Sequence, residues 1–191
     1  MSFLYLFFIL SSALNSNISS GKSIVNDISP SVPIISILVF QSRIDVFVDE
    51  NDPNGLSATA YSFMAGIMKH IEAMTIVLNP LINSYKRLVP DYEAPIYIAW
   101  SAKNRSPLIR VPSSRGSSTR IELRSADPSA NPYLALALCL EAGLDGIERE
   151  LTPPAPVDKN IFEMSQRELK RTGIRSLPTN MFDATSITFN I

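Results

Sequence analysis

Residues 119–124 read TRIELR and residues 126–135 read ADPSANPYLA, and together they predict a short strand, a turn and the start of a helix. Side chains alternate between the two faces of a strand, so the apolar and the charged residues of the first stretch point in opposite directions. The charged face carries Arg120, Glu122 and Arg124. Such a row can hold a divalent metal on its carboxylate and anions on its guanidinium groups, or it can be a surface ion ladder in which each pair contributes little. The pattern alone does not decide between these two interpretations.

Two helices are predicted on either side of this strand. Ser57 caps a segment with apolar residues at helical spacing, which ends at Asn79–Pro80 because the residue before a proline resists the helical conformation. Asn131 is a predicted cap for the second helix, with Pro132 at its first position. Because residues 133–144 are apolar almost all round, we expect the second helix to be buried.

The composition excludes several classes of protein. The 191 residues carry a net charge of −1, which argues against a wholly basic nucleic-acid-binding protein. The single cysteine, Cys139, excludes an internal disulfide framework, and together with the single histidine, His70, it cannot provide the three or four ligands of a zinc site. Any metal must therefore rely on carboxylates. The apolar run at residues 3–10 is too short to span a membrane, and it resembles an export signal but lacks a preceding basic residue.

Positive charge is concentrated in the middle of the chain. Residues 86–124 contain eight basic and three acidic residues, whereas the remainder contains nine basic and fifteen acidic ones. Six of the eight basic residues are arginines, whose planar guanidinium group binds carboxylate and phosphate through two parallel hydrogen bonds. A solvated basic face and a pocket for an anionic substrate are both compatible with this distribution.

The middle of the chain resembles type I glutamine synthetase, from about residue 45 to about residue 182. The blocks that carry the resemblance follow the order of that family: NPLINSYKRLVP at 79–90, YEAP at 92–95, AWSAKNRS at 99–106, IRVP at 109–112, RIELR at 120–124 and DPSANPYLA at 127–135. The resemblance implies an α+β fold, with a partial curved antiparallel β-sheet backed by helices. We therefore expect a non-family leader at residues 1–44, poorly ordered at its start, then part of the catalytic domain at 45–182 and a divergent tail at 183–191.

The function implied by the resemblance is an ATP-dependent ligase. In this family glutamate is phosphorylated on its side-chain carboxylate, and ammonia then displaces the phosphate to give glutamine. The implied cofactors are ATP and Mg²⁺ or Mn²⁺, and the family forms large ring homo-oligomers in the cytoplasm. No nucleic-acid or membrane partner is expected, although the apolar leader leaves secretion as an alternative location.

The resemblance also assigns roles to individual positions. Glu93 corresponds to the flap glutamate that closes the glutamate site and helps to deprotonate ammonium, and Arg105 to the arginine that meets both the phosphate and glutamate. Arg87 and Arg124 correspond to glutamate-binding arginines, and Glu122 to a metal ligand. The implied ATP-binding residues are Ser42, Arg105, Arg110 and Arg120. We expect these side chains to surround one concave site for an anionic ligand.

The sequence also departs from the family pattern. Leu38 stands where the family has a metal-binding histidine, and the upstream segments that supply most of the metal-binding carboxylates have no counterpart here. We therefore expect a catalytic-domain fragment that is inactive alone. The alternative is a non-catalytic relative that binds a ligand or a synthetase subunit. In either case, uncovered sheet edges and apolar surface predict self-association.

Overall fold

The structure is a computed structural model that describes residues 38–40, 46–89, 94–104 and 106–189, with only the backbone described at 38–40, 117 and 166. All described residues belong to one unit of the chain, Ile35–Ile191. The expected poorly ordered start of the leader lies outside them, as do Ser42, Glu93 and Arg105.

The described residues combine four α-helices with short strands and 3-10 helices. The α-helices are α1 (Ala58–Leu78), α2 (Pro132–Glu148), α3 (Gln166–Thr172) and α4 (Met181–Phe189). The strands are β1 (Leu38–Phe40), β2 (Tyr97–Ile98), β3 (Trp100–Ser101), β4 (Ile109–Arg110), β5 (Ile121–Leu123) and β6 (Arg175–Ser176). The 3-10 helices are Ile82–Arg87, Gly116–Ser118 and Ile161–Glu163.

Four of these strands form one sheet in the order β1-β5-β4-β3, and β2 pairs with β6 in a second, two-stranded sheet. Strand β5 runs antiparallel to both of its neighbours, β1 and β4. The α+β fold is thus confirmed, with one difference from the expected antiparallel sheet. Strands β3 and β4 are parallel, with Trp100 opposite Ile109 and Ser101 opposite Arg110.

The two long helices begin where the sequence predicts. The Ser57 side chain accepts a hydrogen bond from the backbone N–H of Ala60, at 3.2 Å. The Asn131 side chain accepts from the N–H groups of the second and third helical residues, and Pro132 occupies the first position. These local caps satisfy N–H groups that have no partner within a helix, so they fix the start of each helix.

Helices α1 and α2 cross with their backbones in contact, and glycine makes this approach possible. A Cβ atom added to Gly146 would lie 2.7 Å from the Cα atom of Gly66 and closer still to the carbonyl oxygen of Ser62. A Cβ atom on Gly66 would lie 2.8 Å from the Cα atom of Gly146. Neither helix can therefore carry a larger residue at the crossing without moving away from the other.

One cluster of buried apolar side chains joins this helix pair to the sheet. It includes Ile67 and Ile71 from α1, Cys139 from α2, and Ile121 and Leu123 from β5. Burial raises the pKa of the Cys139 thiol to about 12, so the thiol is protonated at neutral pH and serves as a small core residue.

The expected burial of α2 is wrong for its amino-terminal half. Tyr133 is 83% exposed and Leu134 is 55% exposed, whereas Ala135, Cys139 and Ala142 are buried. The reason is that α1 crosses α2 near its carboxyl-terminal end and covers only one side of it. Within the described residues, the apolar amino-terminal turns of α2 project beyond that contact. None of the described helices is long and apolar enough to span a membrane.

Candidate functional site

A buried carboxylate between two arginines lies on the central strand of the sheet. The Glu122 side chain is only 7% exposed. Its Oε2 atom accepts a hydrogen bond from Nη1 of Arg110 at 3.1 Å, and its Oε1 atom accepts from Nε of Arg120 at 3.0 Å. Because a buried charge is tolerated only when it is paired, the two guanidinium groups are what allows the carboxylate to lie here.

Strand pairing explains why these three side chains meet. Arg110 of β4 lies directly opposite Glu122 of β5 in the antiparallel register, so the two side chains share one face of the sheet. Arg120 comes two residues before Glu122 and therefore projects from the same side of the chain. The neighbours Ile121 and Leu123 turn into the hydrophobic core. The predicted alternation is thus confirmed around Glu122, although the strand is shorter than the stretch that predicted it.

Both arginines keep part of their surface accessible. The Arg110 side chain is 32% exposed and the Arg120 side chain is 27% exposed, in contrast to the buried Glu122 between them. A guanidinium group has five N–H donors, and Glu122 occupies only some of them. The cluster Arg110–Glu122–Arg120 can therefore present further donors to an anion at its surface.

A second charged pair involves Arg87, the last residue of the 3-10 helix Ile82–Arg87. Its Nη1 atom lies 2.8 Å from Oδ2 of Asp127, and its Nη2 atom donates to the carbonyl oxygen of Ala126 at 3.4 Å. The side chains of Arg87 and Asp127 are 15% and 11% exposed. Asp127 follows β5 by a few residues, so the pair joins the 3-10 helix to the segment that leaves the sheet.

Several interactions act on the ionisation of Asp127. Desolvation raises the pKa of its carboxyl group, but hydrogen bonds from Ser129 and the charge of Arg87 lower it by more, so the net pKa lies below the ordinary value. Asp127 is therefore ionised at neutral pH, and its charge balances that of Arg87.

Of the predicted site residues, the described structure brings Arg110, Glu122 and Arg120 together, whereas Arg87 pairs with Asp127, which was not predicted. Arg124 is half-buried and follows β5 directly. Glu93, Arg105 and Ser42 lie outside the described residues, so the expectation of one shared pocket stays a prediction.

The described residues offer few donors for the implied metal. Among the described residues, no group of three or more His, Cys, Asp or Glu side chains could hold a metal ion. Glu122 is a single carboxylate whose two oxygens already accept hydrogen bonds from arginine. Glu122 therefore fits the role of one metal ligand, and the described residues do not form a complete metal site. The partly exposed arginines, by contrast, carry N–H donors of the kind that bind anionic oxygens.

Asp127 is a potential functional residue that the sequence did not reveal. It was expected only as part of a turn, and its backbone does form one, with Ala130 N–H donating to its carbonyl oxygen at 2.9 Å. Its contact with Arg87 joins residues 40 positions apart, and no local sequence signal marks such a pairing.

The chain is similar in sequence to known proteins of one family. Residues 34–188 match the family model described as the glutamine synthetase catalytic domain. The chain is 58% identical over 150 residues to a glutamine synthetase of Clostridium saccharobutylicum, covering 78% of this chain and 34% of that protein. It is also 58% identical over 149 residues to a glutamine synthetase of Staphylococcus aureus strain MW2, covering 78% of this chain and 33% of that protein.

A solved structure described as apo GmaS without ligand is similar as well. It superposes with a TM-score of 0.63 at 37% sequence identity, over 75% of this chain and 31% of that one. Fold and charged cluster together define an α+β domain with an arginine-rich site. The chain belongs to the glutamine synthetase catalytic-domain family. It spans about a third of the length of the curated relatives it matches.

Proposed function

We propose that this chain supplies the phosphate- and glutamate-binding part of a glutamine synthetase active site. In the proposed reaction the γ-phosphoryl group of ATP passes to the side-chain carboxylate of glutamate, which gives ADP and γ-glutamyl phosphate. The nitrogen of ammonia then bonds to the carbonyl carbon, phosphate leaves, and glutamine forms. The single observation that carries the proposal is the Arg110–Glu122–Arg120 cluster, in a chain whose family is that of the glutamine synthetase catalytic domain.

The two arginines of the cluster suit the phosphoryl transfer. Negative charge spreads over the oxygens of a transferring phosphoryl group, and fixed cations stabilise that charge most when they are already in place. Glu122 holds Arg110 and Arg120 from the buried side. In the proposal they bind the phosphates of ATP through donors that are used neither by Glu122 nor by the carbonyl oxygen of Ser118, which accepts from Nη1 of Arg120.

Glutamate is proposed to bind on the side of Arg87, which holds its carboxylate, with Arg124 as a second glutamate-binding arginine. Arg105 meets both the phosphate and glutamate, and Glu93 closes the site and helps to deprotonate ammonium. Ser42 is proposed at the ATP. These roles rest on the family resemblance at each position.

A divalent ion, Mg²⁺ or Mn²⁺, would neutralise charge on the phosphate oxygens, and Glu122 is proposed as one of its ligands. Since the described residues provide no complete cage, the other ligands must come from the remainder of a full-length synthetase. A ring-shaped homo-oligomer and a cytoplasmic location are also proposed, on the basis of the family resemblance.

The function is tested in a chimera, because the chain corresponds to a third of its relatives. Residues 34–188 replace the matching stretch of the Clostridium saccharobutylicum glutamine synthetase, and ATP-dependent glutamine formation is measured. We expect the chimera to be active. Arg110→Ala should lower this activity at least about 100-fold, because removal of one group that stabilises a transition state has effects of this order. Arg171→Ala should leave the activity unchanged. Arg171 is an exposed arginine of α3 and serves as the matched control. An inactive but folded and assembled chimera would contradict the proposal, as would an Arg110→Ala variant with full activity.

The exposed apolar turns of α2 favour a second candidate, in which the chain is a non-catalytic relative that binds a synthetase subunit. Tyr133 and Leu134 offer the kind of surface that protein contacts bury. The chimera separates the two candidates, because only the first requires that this sequence support turnover.

A further inference from the structure

We propose that Asp127 is a positioning residue that fixes the guanidinium group of Arg87 for the carboxylate of glutamate. This inference rests on the proposed function for its substrate, whereas the orientation of Arg87 is a property of the chain itself.

The geometry of the pair supports a fixed orientation. Nη1 of Arg87 lies 2.8 Å from Oδ2 of Asp127, and Nη2 reaches the neighbouring carbonyl oxygen of Ala126 at 3.4 Å. Both nitrogens at the end of the guanidinium group are therefore held by two adjacent residues, Nη1 by the carboxylate of Asp127 and Nη2 by the backbone carbonyl group of Ala126. Since both side chains are largely buried, the pair is less screened by solvent than an exposed one.

Asp127 is itself held from several directions. Its Oδ1 atom accepts hydrogen bonds from the backbone N–H and the hydroxyl group of Ser129. Its backbone N–H donates to the carbonyl oxygen of Leu78, the last residue of α1, at 2.8 Å. One carboxylate oxygen thus faces Ser129 and the other faces Arg87. The orientation of Arg87 is thereby tied to the end of α1, a rigid element of the fold.

The described contacts of Arg87 leave further donors for a ligand. The contacts with Asp127 and Ala126 use one N–H of each terminal nitrogen, which leaves three of the five donors of the group. A carboxylate can bind to two parallel N–H groups only if the guanidinium plane has a defined direction. The contacts of Asp127 supply that direction.

The competing interpretation is that the Asp127 carboxylate occupies the position on Arg87 where the carboxylate of glutamate would bind, so that glutamate must displace it. The two interpretations predict opposite effects of Asp127→Asn, a variant of almost the same shape that lacks the charge. Positioning predicts weaker glutamate binding in the variant, and competition predicts tighter binding.

The first measurement uses the 191-residue chain without any ligand. Nuclear magnetic resonance of arginine side-chain nitrogens reports whether the guanidinium group of Arg87 rotates freely. We expect separate, slowly exchanging Nη signals for Arg87 in the wild-type chain and averaged signals in Asp127→Asn, while the exposed Arg171 is averaged in both. Averaged Arg87 signals in the wild type, or unchanged signals in the variant, would overturn the proposal.

The second measurement uses the chimera described above and compares wild type, Asp127→Asn, Asp127→Glu and Ser129→Ala. We expect Asp127→Asn to raise KM for glutamate at least about tenfold with little change in KM for ATP, because a lost hydrogen bond to a charged group has about this effect. Ser129→Ala should raise it less, and Asp127→Glu should recover part of the loss. A lower KM for glutamate, or an equal loss for both substrates, would refute positioning. An inactive wild-type chimera would contradict the proposed function instead. The orientation of Arg87 would then be tested by its guanidinium signals alone.

Discussion

Gly146→Ala is expected to destabilise the chain, although alanine is the better helix former. In an exposed helix this change stabilises the folded state by about 1 kcal/mol. Here the new methyl group would lie 2.7 Å from the Cα atom of Gly66, well inside the 3.5–4.0 Å at which carbon atoms attract each other. The helices α1 and α2 must therefore separate by roughly 1 Å at their crossing, or the backbone must bend.

The size of the effect follows from these two opposing contributions. Overpacking a well-packed contact costs about 1–3 kcal/mol, and the upper end applies because the opposing atoms are backbone and cannot rotate away. After subtraction of the gain in helix propensity, a net loss of about 2 kcal/mol remains. For a chain of this size that corresponds to a fall in Tm of about 4–8 °C.

Urea unfolding followed by circular dichroism, with thermal unfolding beside it, measures this loss. The matched control is Gly143→Ala on the same helix, whose methyl group would meet the ring of Phe63. A ring can turn aside, so we expect a smaller loss for Gly143→Ala than for Gly146→Ala. If Gly146→Ala is as stable as the wild type, the close backbone crossing of α1 and α2 is incorrect.

Two further predictions concern the outer surface of the same helix pair. The hydrogen bond from His70, followed by those from Lys69 and Arg149, lowers the pKa of the Asp145 carboxyl group well below its ordinary value of 3.8. The ionised carboxylate therefore stabilises the folded chain fully above pH 3.8, and this stabilisation is lost as the pH falls below 3.8. The difference in urea midpoint between wild type and Asp145→Asn should therefore be clear at pH 6 and shrink by pH 3; a difference that grows on acidification would refute this. The exposed apolar turns of α2 should make the isolated chain self-associate, and sedimentation velocity should show less association for the double variant Tyr133→Ser, Leu134→Ser than for wild type. Equal association of the two would place the contact elsewhere.

Local features of this fold are predictable from sequence because their causes are local. Ser57 and Asn131 cap their helices through side chains that reach backbone groups two or three residues away. Strand alternation separates Glu122 from Ile121 and Leu123 in the same way, within a few residues.

The features that the sequence misses depend on distant parts of the chain. The apolar composition of α2 does not reveal that α1 covers only one end and one side of it. Asp127 has the signature of an ordinary turn residue, and only the folded chain brings Arg87 to it from 40 positions away. The register that places Arg110 opposite Glu122 likewise arises from the pairing of β4 with β5, which the two stretches do not specify separately.

Glu122, held between Arg110 and Arg120, is proposed to belong to the metal- and phosphate-binding part of a synthetase site. The most direct test is the affinity for Mn²⁺ of the chimera with and without Glu122→Gln, measured by electron paramagnetic resonance. If Glu122 is a metal ligand, Glu122→Gln should raise the Kd for Mn²⁺ by about tenfold or more, since charged ligands dominate binding of such hard cations. The Arg171→Ala control should leave it unchanged. An unaltered Mn²⁺ affinity in a folded and assembled Glu122→Gln chimera would contradict the claim and reduce the cluster to a structural ion pair.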